Sequence, residues 1–217
     1  MVLAISQQTI EIPPGGEVIL RYQTWEDYEQ LLKLRQDKAA IKVRFKAITK
    51  EIKLMSPLPG HGKRIDTLTD LVKMLFRHQQ QDWEGFDPIT LKRFPQGGIE
   101  PDACFYIQNR EKILGKEHFD LNIDPPPDLA IEVDWTCSTK IEDYEVIASP
   151  EVWIYRREKL LIYLFDGESY QESSNSPLFR GINVAEILPQ YVERAWQVGS
   201  SVALREFEQY LQNLTSG

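Results

Sequence analysis

The chain has 217 residues, 42% of them hydrophobic and 27% charged, with a formal net charge of −8. That balance suits one globular domain with a real core in a cytoplasmic setting. It excludes a membrane span, because no apolar run nears the ~18 residues required. The two cysteines, Cys104 and Cys137, form no C-x-x-C pair, and with only three histidines beside them a structural zinc site is not expected.

Residues 1–22, with "IPPGGE", read as an N-terminal arm, irregular or an edge strand, ahead of a single domain over 23–217. "TWEDYEQLLKL" predicts a helix with Thr24 as its N-cap and acids in its first turn. In "IKVRFKA", Ile41, Val43, Phe45 and Ala47 alternate with Lys42, Arg44 and Lys46, a half-buried strand with a basic outer face. "EIKLMSP" completes a hairpin, with Ile52 and Leu54 inward. In "GHGKRIDTLTDLVKMLFRHQQ" the residues Ile65, Leu68, Leu71, Val72, Leu75 and Phe76 make one apolar stripe, and His61, Lys63 and Arg64 stand at its start.

Short strands are predicted near 89–93 and over 102–107, then "LAIEVD" and a capped helix. Strands follow in "PEVWIYRREKLLIYLFDGESYQE", with turns at Arg157-Glu158 and Asp166-Gly167. Two amphipathic helices, roughly 183–196 and 201–214, close the chain. This order implies an α/β or α+β fold, a mixed central β-sheet flanked by helices. The charge is uneven: Lys33 to Arg93 holds 14 basic and 7 acidic residues, against 11 and 26 elsewhere. A polyanion is compatible with the first part, as is a solvated basic face.

"GGIEPDACFYIQN" places Glu100 and Asp102 at the mouth of an apolar run. In "PPPDLAIEVDW", Leu129, Ile131 and Val133 share one strand face, and Ala130, Glu132 and Asp134 the other. If the two strands pair antiparallel, Asp102 faces Glu132, and two opposed carboxylates repel. A divalent cation reverses that sign, since Mg²⁺ commonly takes one or two carboxylates plus waters and a phosphate. The backbone carbonyl of Val133 is a further candidate ligand. Taken singly, Asp102 also suits a strand-entry turn, and Glu132 suits pairing with an arginine. Phosphodiester hydrolysis further needs a cation near the attacking water. "STKIEDY" predicts Thr139 as N-cap with Glu142 closing a capping box, so that Lys140, first in the helix, leans back toward the Glu132 strand. A solvated surface lysine is the other reading of Lys140.

These segments resemble the PD-(D/E)XK nuclease superfamily, and more closely its Uma-two ("putative restriction endonuclease") family. The likeness runs from "TWEDYEQLL" through "LMSPLPGHGKRIDTLTDLV", "GGIEPDACFYIQNRE" and "DPPPDLAIEVDWTCST" to "SPEVWIYRREKLLIYLFDGESY". It implies a restriction-endonuclease-like core with Asp102, Glu132 and Lys140 as the site. Asp134 stands where the superfamily usually has its lysine, a substitution common in this family, and His61 matches a recurrent position that touches substrate or caps the first long helix. "WTCSTK" is shorter than the family's usual segment, and Lys53 stands where relatives often carry an acid.

The expected activity is a Mg²⁺-dependent (or Mn²⁺-dependent) endonuclease hydrolysing phosphodiester bonds in DNA. Asp102 and Glu132 hold the metal and Lys140 orients or helps deprotonate water, with Asp134, His61 and Glu100 as accessories. Lys42, Arg44, Lys46, Lys63 and Arg64 contact phosphates nonspecifically. Double-strand cleavage needs two sites, hence a homodimer. The alternative is a nuclease-like scaffold acting as a nucleic-acid-binding or assembly module.

Overall fold

The computed structural model describes residues 2–5, 8–35, 41–135 and 139–215. Cys137 lies outside them. In chain order come β1 (Val2–Ile5), β2 (Gln8–Glu11), β3 (Glu17–Arg21), α1 (Trp25–Arg35), β4 (Lys42–Lys46), β5 (Glu51–Met55) and α2 (Pro59–His78). Next are β6 (Glu84–Phe86), β7 (Leu91–Arg93), β8 (Gly97–Ile99), β9 (Ala103–Tyr106), α3 (Arg110–Ile113) and β10 (Leu129–Asp134). A 3-10 turn, Ile141–Tyr144, precedes β11 (Glu151–Arg156), β12 (Lys159–Phe165), β13 (Tyr170–Ser173), α4 (Val184–Val198) and α5 (Ser200–Thr215). None of the described helices is long and apolar enough to cross a membrane.

The strands form a mixed sheet in the order β13-β12-β11-β10-β9-β6, an antiparallel sheet in the order β3-β5-β4-β8-β7, and a β1-β2 ribbon. The sequence had suggested one central sheet. The split falls at "IEPDA": β8 belongs to one sheet and β9 to the other, and Pro101 between them has no N–H with which to continue a ladder. Glu100 and Asp102 flank that proline, so both acids lie where the chain passes between sheets.

Local chemistry accounts for the elements. Thr24 and Asp27 cap α1 reciprocally: the Asp27 N–H donates to Thr24 Oγ1 at 3.2 Å and the Thr24 N–H to Asp27 Oδ2 at 2.8 Å. β10 and β11 form the parallel pair and are buried on both faces, apart from the half-buried Arg156, which is why they read as nearly unbroken apolar runs. Arg157 and Glu158, both at positive φ, make the tight β11–β12 hairpin. The main core packs the α2 stripe (Leu68, Leu71, Val72, Leu75, Phe76) on Leu129, Ile131, Val133, Trp153 and Tyr155, with Leu188 and Phe207 from α4 and α5. A second core joins Tyr28 and Leu31 of α1 to Val43, Phe45, Ile52 and Leu54.

One buried carboxyl in this frame makes stability depend on pH. Burial pushes Glu151 up to about 7, although hydrogen bonds from Ser176, Trp153 and the Leu178 amide pull the other way. Between its ordinary 4.5 and about 7, the folded chain therefore holds a proton that the unfolded chain has released. The contribution of Glu151 to stability should be fully present below that window and fall through it by about 3 kcal/mol. Urea unfolding of wild type and Glu151→Gln at both ends of the window should show the decline largely abolished in the variant. An equal decline in both would assign it to other groups.

Candidate active site

The site begins with strand register. β9 and β10 pair antiparallel as Phe105↔Leu129, Cys104↔Ala130 and Ala103↔Ile131, so the next step sets Asp102 opposite Glu132. Both carboxylates are buried, Asp102 at 5% exposure and Glu132 at 1%. Their repulsion is relieved by a cation of the chain itself. Lys42 Nζ lies 2.8 Å from Asp102 Oδ1 and 3.2 Å from Glu132 Oε2.

Further partners surround the pair. Asp102 Oδ2 accepts the Val133 amide at 2.8 Å and meets His61 Nε2 at 2.9 Å. Glu132 Oε2 accepts the Tyr144 hydroxyl at 2.8 Å, and Oε1 accepts Thr139 Oγ1 at 3.2 Å. Arg44 Nη2 stands 3.6 Å from Glu132 Oε1, while Arg44 Nη1 bonds Asp143 at 2.7 Å. Burial pushes the Asp102 carboxyl up, but the Lys42 ammonium and the His61 hydrogen bond outweigh it and hold the group down at about 2. Burial likewise pulls Lys42 down, and Asp102 and Glu132 together raise it above the ordinary lysine value. Tyr144 is driven well up by burial and by the Glu132 charge, so its hydroxyl keeps its proton.

β4 keeps Val43 and Phe45 in a core as the sequence suggests, but its other face is covered as well. Its basic face does not point to solvent: Lys42 is 7% exposed, and Lys42 and Arg44 reach across to β10. Lys46, half-buried, reaches Asp143 at 3.5 Å. Glu100 holds this strand in place. It takes a two-point ion pair from Arg35 at 2.6 and 2.7 Å, the Val43 amide at 2.8 Å and Thr90 Oγ1 at 2.5 Å. Its oxygens are thus engaged in positioning, and anchoring Val43 sends the neighbouring Lys42 side chain to the other face, toward Asp102.

The helix expected after "LAIEVD" is a single 3-10 turn. Lys140 precedes it in extended conformation (φ −93°, ψ 137°), because the Thr139 hydroxyl that would have capped a helix bonds Glu132 instead. Lys140 is exposed and, among the described residues, makes no ion pair with Asp102 or Glu132. It lines a cleft of ≈ 190 Å³ together with Arg44, Lys46 and Lys53, opposed by Glu51 and Asp143. Asp134 neither touches Lys140 nor joins the pair. It holds Arg156 and accepts the Thr139 amide at 2.9 Å. Of Val133, the amide is the group that meets Asp102. Lys63 and Arg64, expected to contact phosphates, stack against Trp196.

Sequence reasoning missed Lys42 and Arg44 as partners of the carboxylates, and Thr139 and Tyr144 as hydrogen-bond donors to Glu132. The alternation in "KVRFK" did place Lys42 and Arg44 on one face. Only the packing of one sheet on the other says that this face meets the acids.

The chain is similar to known proteins at two levels. A family model described as "Uma2: Putative restriction endonuclease" matches residues 25–197. A crystal structure described as "a putative nuclease belonging to DUF820 from Anabaena variabilis ATCC 29413" superposes with a TM-score of 0.54 at 14% identity, over 76% of this chain and 98% of that one. At that identity the superposition speaks for the fold. No curated protein matches the chain.

Proposed function

Because the chain belongs to the Uma2 family of restriction-endonuclease-like proteins, we propose that it is a metal-dependent endonuclease that hydrolyses phosphodiester bonds in DNA. The carrying observation is that Asp102 Oδ1 and Glu132 Oε2, from adjacent antiparallel strands, converge on one cationic group. Such a pair suits a hard divalent ion, Mg²⁺ or Mn²⁺, with water, the Val133 carbonyl or substrate oxygens completing the shell. Among the described residues no cluster of three or more His, Cys, Asp and Glu side chains is placed to chelate a metal, so the two carboxylates would carry it. The ion would polarise the phosphate and acidify water.

The chain's own residues divide the remaining work. Lys42, which would give up the carboxylate oxygens to the metal and stay next to it, suits the role first assigned to Lys140, the cation beside the attacking water. Lys140, Lys46 and Lys53 line the adjacent cleft and suit the phosphate backbone of the incoming strand. His61 fixes Asp102, and Thr139 and Tyr144 orient Glu132. Cleavage of both strands would call for a homodimer, working in the cytoplasm.

One observation favours a second reading, the catalytically weak scaffold that binds nucleic acid. With Lys42 between them, both carboxylates are already compensated without a metal. Calorimetric titration of Mn²⁺ into wild type and Asp102→Asn separates the two. Binding in the wild type with duplex DNA present, at least tenfold weaker in the variant, is the expected outcome. Absence of binding with and without DNA would favour the scaffold.

A further inference from the structure

Beside the carboxylate pair lies a cation that has no acid among the described residues. Arg64, on the first turns of α2 and 5% exposed, has its guanidinium carbon 3.4 Å from the ring centroid of Trp135 and 4.3 Å from that of Trp196. Its Nη1 donates to the Gly60 carbonyl at 3.1 Å, and its Nε is buried without a partner among the described residues. Lys63 Nζ lies 4.8 Å over Trp196. Among the described residues neither cation has a carboxylate partner. Asp134, adjacent to Trp135, is taken by Arg156, and Glu193 on α4 accepts the Tyr155 hydroxyl.

Buried charges are normally paired, and indole faces offset only part of the hydration that a guanidinium loses. The location raises the demand for an anion, because this is a helix N-terminus with no acid in its first turn. A purely structural staple between α2, α4 and the end of β10 would explain the stacking. It would not explain the second unpaired cation, nor why Trp135 and Trp196 stay 39% and 48% exposed. Arg64 follows His61 by three residues, so the two are neighbours on one helix face, and His61 touches Asp102.

We propose that Trp135, Trp196, Arg64 and Lys63 form a platform for an unpaired nucleotide next to the cleavage site, with its phosphate on the cations and its base stacked on an exposed indole face. The inference rests on the nuclease reading and narrows its substrate to single-stranded or frayed DNA. Stacking tolerates any base, so selection is by strandedness and not by sequence.

The test is a titration of the full chain with a short oligo-dT strand and with a duplex of equal length, in chelator, read by tryptophan fluorescence and by anisotropy of the labelled DNA. The single strand should bind tighter and quench the fluorescence. Trp135→Leu and Trp196→Leu keep apolar bulk but remove the aromatic face, and each should weaken strand binding on the order of tenfold. Trp135→Phe should keep most of the affinity, which separates stacking from general damage. Strand affinity unchanged in both leucine variants, alongside metal-dependent cleavage of duplex, would overturn the platform and leave the nuclease reading intact. Stacking-dependent strand binding without cleavage in any divalent metal would do the reverse. No binding of either DNA would overturn both.

Discussion

Lys42→Met is expected to destabilise the metal-free protein by about 3–5 kcal/mol, because it leaves two buried carboxylates facing each other without their shared cation. The methionine stem preserves much of the packing, so the loss reports charge. His61 and the Val133 amide still hold Asp102, and Arg44, Thr139 and Tyr144 still hold Glu132, which favours the lower end of that range. The loss should shrink in acid. In the wild type Asp102 is held below its ordinary value of 3.8 at about 2, so its contribution is present above 3.8 and lost as the pH falls through 2. Removing Lys42 removes most of that contribution, so the difference between the two proteins should begin to shrink below about pH 4 and vanish near pH 2.

The same variant tests the metal site without an activity assay. An ion that occupies the place of the ammonium stabilises the folded state by mass action. Mn²⁺ should therefore raise the melting temperature of Lys42→Met by more than that of the wild type, where the lysine competes for the same oxygens. A variant whose melting temperature ignores millimolar Mn²⁺ and Mg²⁺ would count against a metal on this pair.

Glu132→Gln is expected to lower metal-dependent nicking of supercoiled plasmid by at least ~10²–10³-fold, the scale on which one charge-stabilising group in an active site acts. Glutamine has the same shape, and its single carbonyl oxygen still accepts from either Tyr144 or Thr139, so the fold should persist and the circular dichroism spectrum should stay unchanged. Cleavage that survives in this variant would take Glu132 out of the mechanism. If the wild type binds DNA with a steep salt dependence but cleaves it in no divalent metal, the scaffold reading stands instead.

Much of the fold was legible because it is local. The α1 cap, the β4–β5 hairpin, the α2 stripe, the β11–β12 turn and the two closing helices each follow from neighbours within a few residues. The Asp102–Glu132 juxtaposition was legible for the same reason. A strand has a period of two, and pairing the two apolar runs antiparallel leaves the acids opposed. The helix expected at Lys140 failed on competition: a capping box presumes a free threonine hydroxyl, and Glu132, seven positions back, had already taken it. Glu100 looked like a site acid because its partner Arg35 is 65 positions away.

By itself, then, the sequence determined most of the order of elements and the two opposed carboxylates, since these depend on periodicity and short-range hydrogen bonding, while the family was carried by the resemblance of whole segments. Tertiary structure alone decided which cation meets them. The alternation in β4 puts Lys42, Arg44 and Lys46 on one face, but nothing local states whether that face looks to water or to the other sheet. The answer comes from Pro101 breaking the ladder, which passes the chain from one sheet to the other, and from Glu100 pinning the Val43 amide. Desolvation does the rest, because two carboxylates buried together require the nearest cation, and Lys42 supplies it.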